Sequence, residues 1–239
     1  MSAPLVAIVI PSLDEEGTLA ALLRDVARLE VAHEVVVCDG GSTDATCNVA
    51  HAAGARVVVA PRGRGTQLRA GVAATSAPLV CCLHADVRLD RAARADLAAL
   101  AARGRSGAWC FRLRIDGGRW AYRLVEWAAN TRTRLLALPY GDQGLVVSRT
   151  TYDAVGGYRN VPLMEDVIIA RELERSVGIE LLRSALTVSP RRWERDGVLR
   201  RTFTNFVILA RFLLGASPER LLALYAPGSR DDASGDSGR

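Results

Sequence analysis

The chain has 239 residues, of which 49% are apolar and 24% are charged, and this is enough for one well-buried domain. The composition excludes a collagen-like chain, a coiled coil and an intrinsically disordered protein. The 31 basic and 26 acidic side chains leave a formal net charge of +5. An excess of that size does not by itself indicate a nucleic-acid-binding protein.

The cysteines and the apolar runs indicate the cellular compartment in which the protein is expected. The five cysteines form an odd set without a C-x-x-C pair, so they indicate neither a disulfide framework nor a zinc site. The first residues lack the cationic start of a secretory signal. The run from Phe206 to Leu214 is interrupted by Arg211 and is far shorter than the roughly 20 residues that cross a bilayer. We therefore expect a cytoplasmic protein without a transmembrane segment.

The first half of the chain alternates short aliphatic runs with longer stretches rich in alanine, leucine and arginine. The short runs are typical of strands that are buried on both faces. They are Ala7–Ile10, Glu34–Cys38, Arg56–Val59 and Leu79–Leu83.

Apolar residues three and four apart in the intervening stretches predict helices that bury one face against the sheet. This alternation indicates an α/β fold with a mostly parallel central sheet flanked by helices. The predicted helices are Gly17–Leu29, Ala45–Ala53, Thr66–Ala74 and Arg91–Ala102.

The second half is less regular, and neither a repeat nor a linker separates it from the first. Its last residues, 228–239, are rich in glycine, serine, aspartate and arginine and are predicted to form a disordered tail. The predicted elements are a strand near Ala108–Ile115, a helix from about Arg119 to Leu136, a strand Gly144–Ser148, a helix opening near Met164, a weaker strand around Leu186 and an amphipathic helix from about Leu199 to Leu214.

Polar residues follow each of the first four strands. In parallel α/β sheets, ligands bind beyond the carboxyl ends of the strands, so these segments are the first candidates for a binding site. They are Pro11–Glu15, Asp39–Asp44, Pro61–Gly65 and His84–Asp86.

The segments after the second and third strands suit a nucleotide. Asp39 stands at a strand tip, where its carboxylate can accept hydrogen bonds from a base or a ribose, although an ordinary strand-to-helix turn has the same pattern. Arg62–Gly65 supplies cations and flexible backbone before a helix, where phosphate is favoured. It matches neither a Walker loop nor a G-x-G-x-x-G motif.

His84-Ala85-Asp86 is a candidate metal site. Asp86 could hold a divalent cation that bridges two phosphates, and His84 suits manganese or a hydrogen bond better than magnesium. A histidine bonded to the backbone and an aspartate capping the next helix would explain the motif equally well.

Two further motifs carry charge in the second half. Glu165 and Asp166 begin a helix, where acids are ordinarily stabilised by the helix dipole, whereas a buried catalytic base would need a raised pKa. In Arg191-Arg192-Trp193, the tryptophan could stack on a sugar while an arginine binds an anionic group, or it could be a core residue in a solvated turn.

These motifs, taken in order, resemble those of the family 2 glycosyltransferases, which have the GT-A fold. The resemblance covers residues 5 to about 195. The segments that carry it are Val9–Glu16, Val37–Asp44, His84–Asp86, Glu165–Asp166 and Arg191–Trp193.

The resemblance implies roles for individual residues. The implied domain spans residues 1–227, with a nucleotide-binding half at 1–105 and, at 106–227, an acceptor-binding half that includes the C-terminal helix. Asp166 occupies the position of the family's catalytic base, with Glu165 beside it, and Arg191, Arg192 and Trp193 lie on the acceptor side. The residues implied to bind the nucleotide-sugar are Pro11, Leu13, Glu15, Asp39, Gly40, Arg64 and Asp86.

Two positions depart from the family's pattern. The usual D-x-D motif is His84-x-Asp86 here. We therefore expect that Asp86, with His84, can bind a divalent cation, Mg²⁺ or Mn²⁺, but the motif does not require one. The usual glutamine three places before R-W is replaced by Ser189 or Pro190 in the segment that leads to Trp193.

Within the family, Leu83–Asp86, Gly141–Gly144 and Met164–Asp166 resemble a small subgroup that includes the selenosugar synthases of selenoneine biosynthesis. The implied reaction joins selenophosphate to the anomeric carbon of a UDP-sugar, typically UDP-N-acetylglucosamine. Selenophosphate arrives with its selenium ionised, so the site needs cations more than it needs a base.

Alternatives remain open at this point. A related enzyme could transfer a sugar to a polyprenyl phosphate or a small alcohol, with the segment from Thr202 to Leu214 lying on a membrane surface. The apolar face of that segment could instead pack on the core or on a second subunit, giving a homodimer through the C-terminal helix. The alternative outside the enzymes is a noncatalytic module that binds nucleotide-sugars.

Overall fold

The computed structural model describes residues 3–225, apart from the side chains of residues 192, 196, 199 and 223–225. The predicted tail at 228–239 therefore lies outside the described residues. The strands are β1 (Val6–Ser12), β2 (His33–Asp39), β3 (Arg56–Val59), β4 (Leu79–Cys82), β5 (Val87–Leu89), β6 (Ala108–Ile115), β7 (Leu145–Ser148) and β8 (Ile179–Val188).

Helices connect these strands, and a short 3-10 turn at Gly141–Gln143 precedes β7. The helices are α1 (Glu16–Val26), α2 (Thr46–Ala52), α3 (Arg64–Ala73), α4 (Arg91–Arg103), α5 (Trp120–Leu136), α6 (Arg149–Ala154), α7 (Glu165–Ser176), α8 (Arg191–Asp196), α9 (Val198–Leu213) and α10 (Pro218–Tyr225).

All eight strands form one mixed sheet in the order β3-β2-β1-β4-β7-β6-β8-β5. Four of the seven pairings are parallel, because β1 to β4 run in one direction and β6 is parallel to β8. The three antiparallel pairings join β7 to β4 and to β6, and β5 to β8. The predicted mostly parallel α/β sheet is confirmed.

Hydrophobic residues cover both faces of the sheet. Ile8 and Ile10 of β1 belong to the largest buried cluster, together with residues of α1, α2, α4 and α5. The intervening Val9 belongs to a second cluster, with residues of α3, α6 and α7. Because successive side chains of a strand point to opposite faces, the aliphatic run of β1 is explained by helices on either side.

One glycine sets how closely α3 approaches the sheet. A Cβ at Gly71 would overlap Cys38 Sγ and Val9 Cγ1, so the helix lies directly on β1 and β2. Since α3 begins at Arg64, this contact brings the start of the helix close to the carboxyl ends of both strands.

Candidate functional site

The carboxyl ends of β1 and β2 lie side by side and are joined by a buried amide. Ser12 pairs with Asp39 in the strand register. The side-chain Nε2 of Gln67, on α3, donates to the backbone oxygens of Ser12 and Cys38 at 2.8 and 2.7 Å. Gln67 is thus a structural residue of the site that the sequence interpretation missed.

The loops after these strands are locked together by hydrogen bonds. Asp14 Oδ1 accepts from the Thr43 N–H at 2.8 Å, and the Asp14 N–H donates to Ser42 Oγ at 3.0 Å. Asp14 adopts a φ of 52°, a left-handed conformation that aspartate tolerates better than most residues. The Glu15 N–H donates to Thr46 Oγ1 at 2.8 Å. The loops are therefore ordered by contacts within the chain itself.

Asp39 is buried, and its carboxylate is bonded within its own turn. It accepts hydrogen bonds from the N–H groups of Gly41 and Ser42, at 2.9 and 3.0 Å, and from the Ser42 hydroxyl. Burial raises the pKa of Asp39, but these hydrogen bonds outweigh burial and hold the pKa below its ordinary value. Asp39 is therefore an ionised anchor of the turn that contains Gly40, and its contact with a base stays a prediction.

A cleft of about 200 Å³ opens beside these loops. It contains four of the predicted nucleotide residues and adds Ser12, Gln67, His84 and Ala85 to them. The four are Pro11, Leu13, Glu15 and Arg64.

Arg64 connects this cleft to the acidic start of α7. Its Nε lies 3.1 Å from Glu165 Oε1, and its Nη1 lies 4.0 Å from Asp166 Oδ2. Nη1 also lies 3.2 Å from His84 Nε2. Because a guanidinium has only donors, His84 Nε2 is the acceptor in this contact. Gly65 permits the arrangement, since a Cβ there would overlap the carbonyl oxygen of Arg159.

The two acids at the start of α7 have different surroundings. Glu165 is buried, and burial raises its pKa to about 7, against the opposing effect of Arg64 and with a further rise caused by Asp166. Asp166 is partly exposed, and it accepts hydrogen bonds from the N–H groups of Gly141 and Val167 at 2.9 and 2.8 Å. The acid with the raised pKa is therefore Glu165, while Asp166 is the acid with an exposed edge.

A second, smaller cavity of about 90 Å³ is also lined by Arg64 and His84. Both predicted catalytic acids line it. Its other lining residues are Tyr140, Gly141, Asp142, Leu163, Met164, Arg201, Asn205 and Ile208.

The sequence interpretation gave no site role to four polar residues of this cavity, which are Tyr140, Asp142, Arg201 and Asn205. Arg201 and Asn205 are four residues apart on α9, so they share one face of the helix. A polar pair at that spacing in an apolar helix was the available signal. Tyr140 is held by Arg132, whose guanidinium carbon lies 3.6 Å from the ring centre. Burial raises the pKa of Tyr140 to about 12, so the phenol is neutral.

The Arg191–Trp193 segment forms α8, and its members have different surroundings. Arg191 Nη2 lies 3.3 Å from Glu15 Oε2, so α8 reaches the nucleotide cleft. Trp193 is buried in the largest hydrophobic cluster, where it packs α8 against the core. The side chain of Arg192 is outside the described set. The acceptor roles of all three residues stay predictions.

Asp86 lies between β4 and β5 and is buried. Within residues 3–225, no group of three or more histidine, cysteine, aspartate or glutamate side chains is placed to hold a metal ion. One carboxylate fits Mg²⁺ when phosphate oxygens and waters complete the coordination. His84 cannot contribute Nε2 while that atom accepts from Arg64, so the residues fit a cation bound by Asp86 together with a diphosphate.

Comparisons with known proteins agree with this architecture. The model of the family described as glycosyl transferase family 2 matches residues 7–159. The uncharacterized glycosyltransferase Rv0539 of Mycobacterium tuberculosis is 34% identical over 142 residues, which cover 56% of this chain and 64% of the relative. The chain thus matches less than two thirds of that relative's length.

Two solved structures share the fold. S. aureus TarS 1–349 in complex with UDP-GlcNAc has a TM-score of 0.60 at 14% identity, covering 77% of this chain and 58% of that fragment. Glucosyl-3-phosphoglycerate synthase from M. tuberculosis, in complex with Mn²⁺, UDP and glucosyl-3-phosphoglycerate, has a TM-score of 0.54 at 23% identity, covering 77% of this chain and 70% of the synthase. At these identities the likeness establishes the fold, and the expected GT-A fold is confirmed.

Proposed function

Because the chain belongs to glycosyl transferase family 2, we propose that it transfers the sugar of a UDP-sugar, with UDP-N-acetylglucosamine as the first candidate, to selenophosphate. A bond forms between selenium and the anomeric carbon, and the bond from that carbon to the diphosphate oxygen breaks. UDP leaves with the electron pair. The observation that carries the proposal is that two cavities share Arg64 and His84 as their common wall.

The larger cleft is the proposed donor site. Its loops are ordered by their own hydrogen bonds, so binding a nucleotide there does not have to pay for ordering them. Arg64 at the common wall supplies a guanidinium, which suits a diphosphate through paired donors. A divalent cation bound by Asp86 and the diphosphate would neutralise charge on the leaving UDP. UDP in the two solved structures of this fold supports the choice of nucleotide.

The smaller cavity is the proposed acceptor site. Its volume of about 90 Å³ is less than half the roughly 200 Å³ of the donor cleft, which favours an acceptor much smaller than the nucleotide-sugar. Arg64 and Arg201 line it as cations. Two of the acids that line it are engaged, since Glu165 faces Arg64 and Asp166 accepts from two backbone N–H groups. These features support a compact anion such as selenophosphate.

A hydroxyl acceptor is the competing candidate, and Asp166 is the observation that favours it. Its carboxylate is fixed by Gly141 and Val167 and retains an exposed edge at the cavity. Such a group could take the proton of an attacking alcohol. A noncatalytic nucleotide-sugar-binding module would use the donor cleft alone.

Mass spectrometry of the products separates these functions. The chain is incubated with UDP-N-acetylglucosamine, Mg²⁺ and either selenophosphate, inorganic phosphate or small alcohols. We expect a selenosugar phosphate or its hydrolysed selenosugar, with stoichiometric UDP, only when selenophosphate is present. The variant Arg64→Ala should abolish the product, and Arg56→Ala, which alters an exposed ion pair with Glu34, should not. A glycoside of an alcohol, or UDP release without any acceptor product, would contradict the proposal.

A further inference from the structure

Exposed large apolar side chains are concentrated on two helices outside the catalytic cavities. The described part of the chain has thirteen exposed large apolar side chains. Nine of them lie on α5, on α9 or directly after the last residue of α9. The exposed aromatic residues of α5 are Trp120 and Trp127, at 75% and 69%, and those of α9 are Phe203 and Phe206, at 68% and 67%. We call these four residues, with Leu124 and Leu214, the α5–α9 surface.

The spacing shows that each helix has a second apolar face. Trp120, Leu124 and Trp127 are four and then three residues apart, so they form one stripe along α5. Phe203, Phe206 and Leu214 are likewise on one face of α9. The opposite faces are the ones used by the core, since Tyr122 and Ala129 of α5 and Ile208 and Leu209 of α9 are buried. The two helices also contact each other.

Positive charge is concentrated in the same two segments. Residues 119–136 and 198–222 contain eight arginines and two glutamates, a surplus of six, whereas the whole chain has a surplus of five. The rest of the chain therefore has no excess of positive charge. Three of these arginines are engaged elsewhere, since Arg123 pairs with Glu126, Arg132 lies over Tyr140 and Arg201 lines the small cavity. Arg134 lies seven residues from Trp127, and Arg200 and Arg211 lie three and eight residues from Phe203, so arginines still border both apolar stripes.

We propose that the α5–α9 surface docks onto the surface of an anionic lipid bilayer. Helices that lie in a membrane interface typically carry tryptophan and phenylalanine on one face, with arginine at its borders. Within residues 3–225, no helix is long and apolar enough to cross a membrane, so the helices would lie along the surface. Each arginine near an anionic leaflet adds to the attraction.

A second copy of the chain is a poorer match for this surface. Two copies would bring arginine-bordered stripes together, and like charges at a contact oppose association. The C-terminal residues 226–239 are also a poor match for the α5–α9 surface. Their apolar side chains are limited to Ala226, Pro227 and Ala233, which are too small to cover the exposed aromatic rings. An anionic headgroup layer neutralises the arginines and accepts the aromatic rings.

Docking to lipid is independent of the acceptor, because the α5–α9 surface and the small cavity use different faces of α9. Arg201 and Asn205 line the small cavity, whereas Phe203 and Phe206 are exposed. Docking would hold α9, one wall of the acceptor cavity, against the bilayer. Binding to lipid can therefore be measured without any sugar substrate.

Sedimentation with vesicles tests the proposal on the full chain. Vesicles of phosphatidylcholine alone are compared with vesicles that contain about one third phosphatidylglycerol. We expect binding to the anionic vesicles only, and weaker binding when the salt is raised from about 0.1 M to about 0.5 M.

Paired variants locate the contact. We expect Trp120→Ser with Trp127→Ser, and separately Phe203→Ser with Phe206→Ser, to lower the bound fraction at least about fivefold, because affinity follows the buried apolar area. The matched control, Val59→Ser with Val177→Ser, removes exposed apolar groups elsewhere and should bind normally. Circular dichroism confirms that each variant is folded. Absence of binding, or either α5 or α9 variant binding like the wild type, would overturn the proposal. A dimer that these variants dissociate would assign the surface to a second copy instead.

Discussion

Replacing Glu165 with glutamine should change how the stability of the chain depends on pH. In the folded chain, burial beside Asp166 raises the pKa of Glu165 from 4.5 to about 7, despite the nearby Arg64. Between these two pH values the folded chain holds a proton on Glu165 that the unfolded chain has released. The free energy of unfolding therefore falls as the pH rises through this window, and the loss is complete above about pH 7.

The size of the effect follows from the pKa difference. One pKa unit corresponds to about 1.4 kcal/mol, so the ionisation of Glu165 costs the folded wild type roughly 3 kcal/mol between pH 4 and pH 8. The variant Glu165→Gln resembles the protonated acid and has no charge to bury. Its unfolding free energy relative to the wild type should thus increase by roughly that amount over the same range.

Urea unfolding followed by tryptophan fluorescence measures this difference. Trp109 and Trp193 are buried, so unfolding exposes them. The control Glu172→Gln changes an exposed acid that pairs with Arg175, and its difference from the wild type should stay constant with pH. A constant difference for Glu165→Gln as well, or one that moves in favour of the wild type at high pH, would refute the reasoning.

Three further changes test other parts of the site. Arg201→Ala should raise the KM for selenophosphate at least about tenfold while leaving UDP affinity unchanged, because it removes a cation from the acceptor cavity alone; steady-state kinetics and calorimetry check this, and equal losses for both ligands would contradict it. Asp166→Asn should lower turnover with selenophosphate less than about tenfold, in contrast to the roughly 10²–10⁴-fold loss typical of a removed base; a loss in that larger range in rapid-quench assays would favour a hydroxyl acceptor. Gly71→Ala should destabilise the chain by about 1–3 kcal/mol, since the added methyl overlaps Cys38 and forces α3 away from the sheet; unchanged urea unfolding would show that α3 has room to move.

The local sequence pattern was sufficient to predict most strands of the sheet. The aliphatic runs of β1, β2 and β4 carry their own signal, because strands covered on both faces must be continuously apolar. The expectation of burial was wrong for β3, which is an edge strand with an exposed Val59. β5 has only three residues and therefore no periodicity to detect. β8 extends over ten residues, well beyond the predicted strand around Leu186, because its alternation of buried and exposed residues depends on pairing with β6.

The site was predictable where a motif marks a strand tip and not where tertiary contacts build it. The segments at Pro11 and Arg64 follow strands, and the parallel topology brings them to one cleft. Arg201 reaches the second cavity only because α9 packs beside it; its i,i+4 spacing from Asn205 marks a polar stripe on the helix but does not show what that stripe contacts. Trp193 illustrates the opposite problem, because an aromatic beside arginines has the same local pattern whether it is buried or available to a sugar.

Calorimetric titration of UDP into the full chain tests most directly whether these strand tips form a nucleotide site. The titration is run with Mg²⁺, for the wild type and for the variants Arg64→Ala and Arg56→Ala. We predict one UDP bound per chain, affinity at least about tenfold weaker in Arg64→Ala because a guanidinium at the diphosphate is lost, and wild-type affinity in Arg56→Ala. Absence of binding heat in the wild type, or equal affinity in all three proteins, would contradict the account.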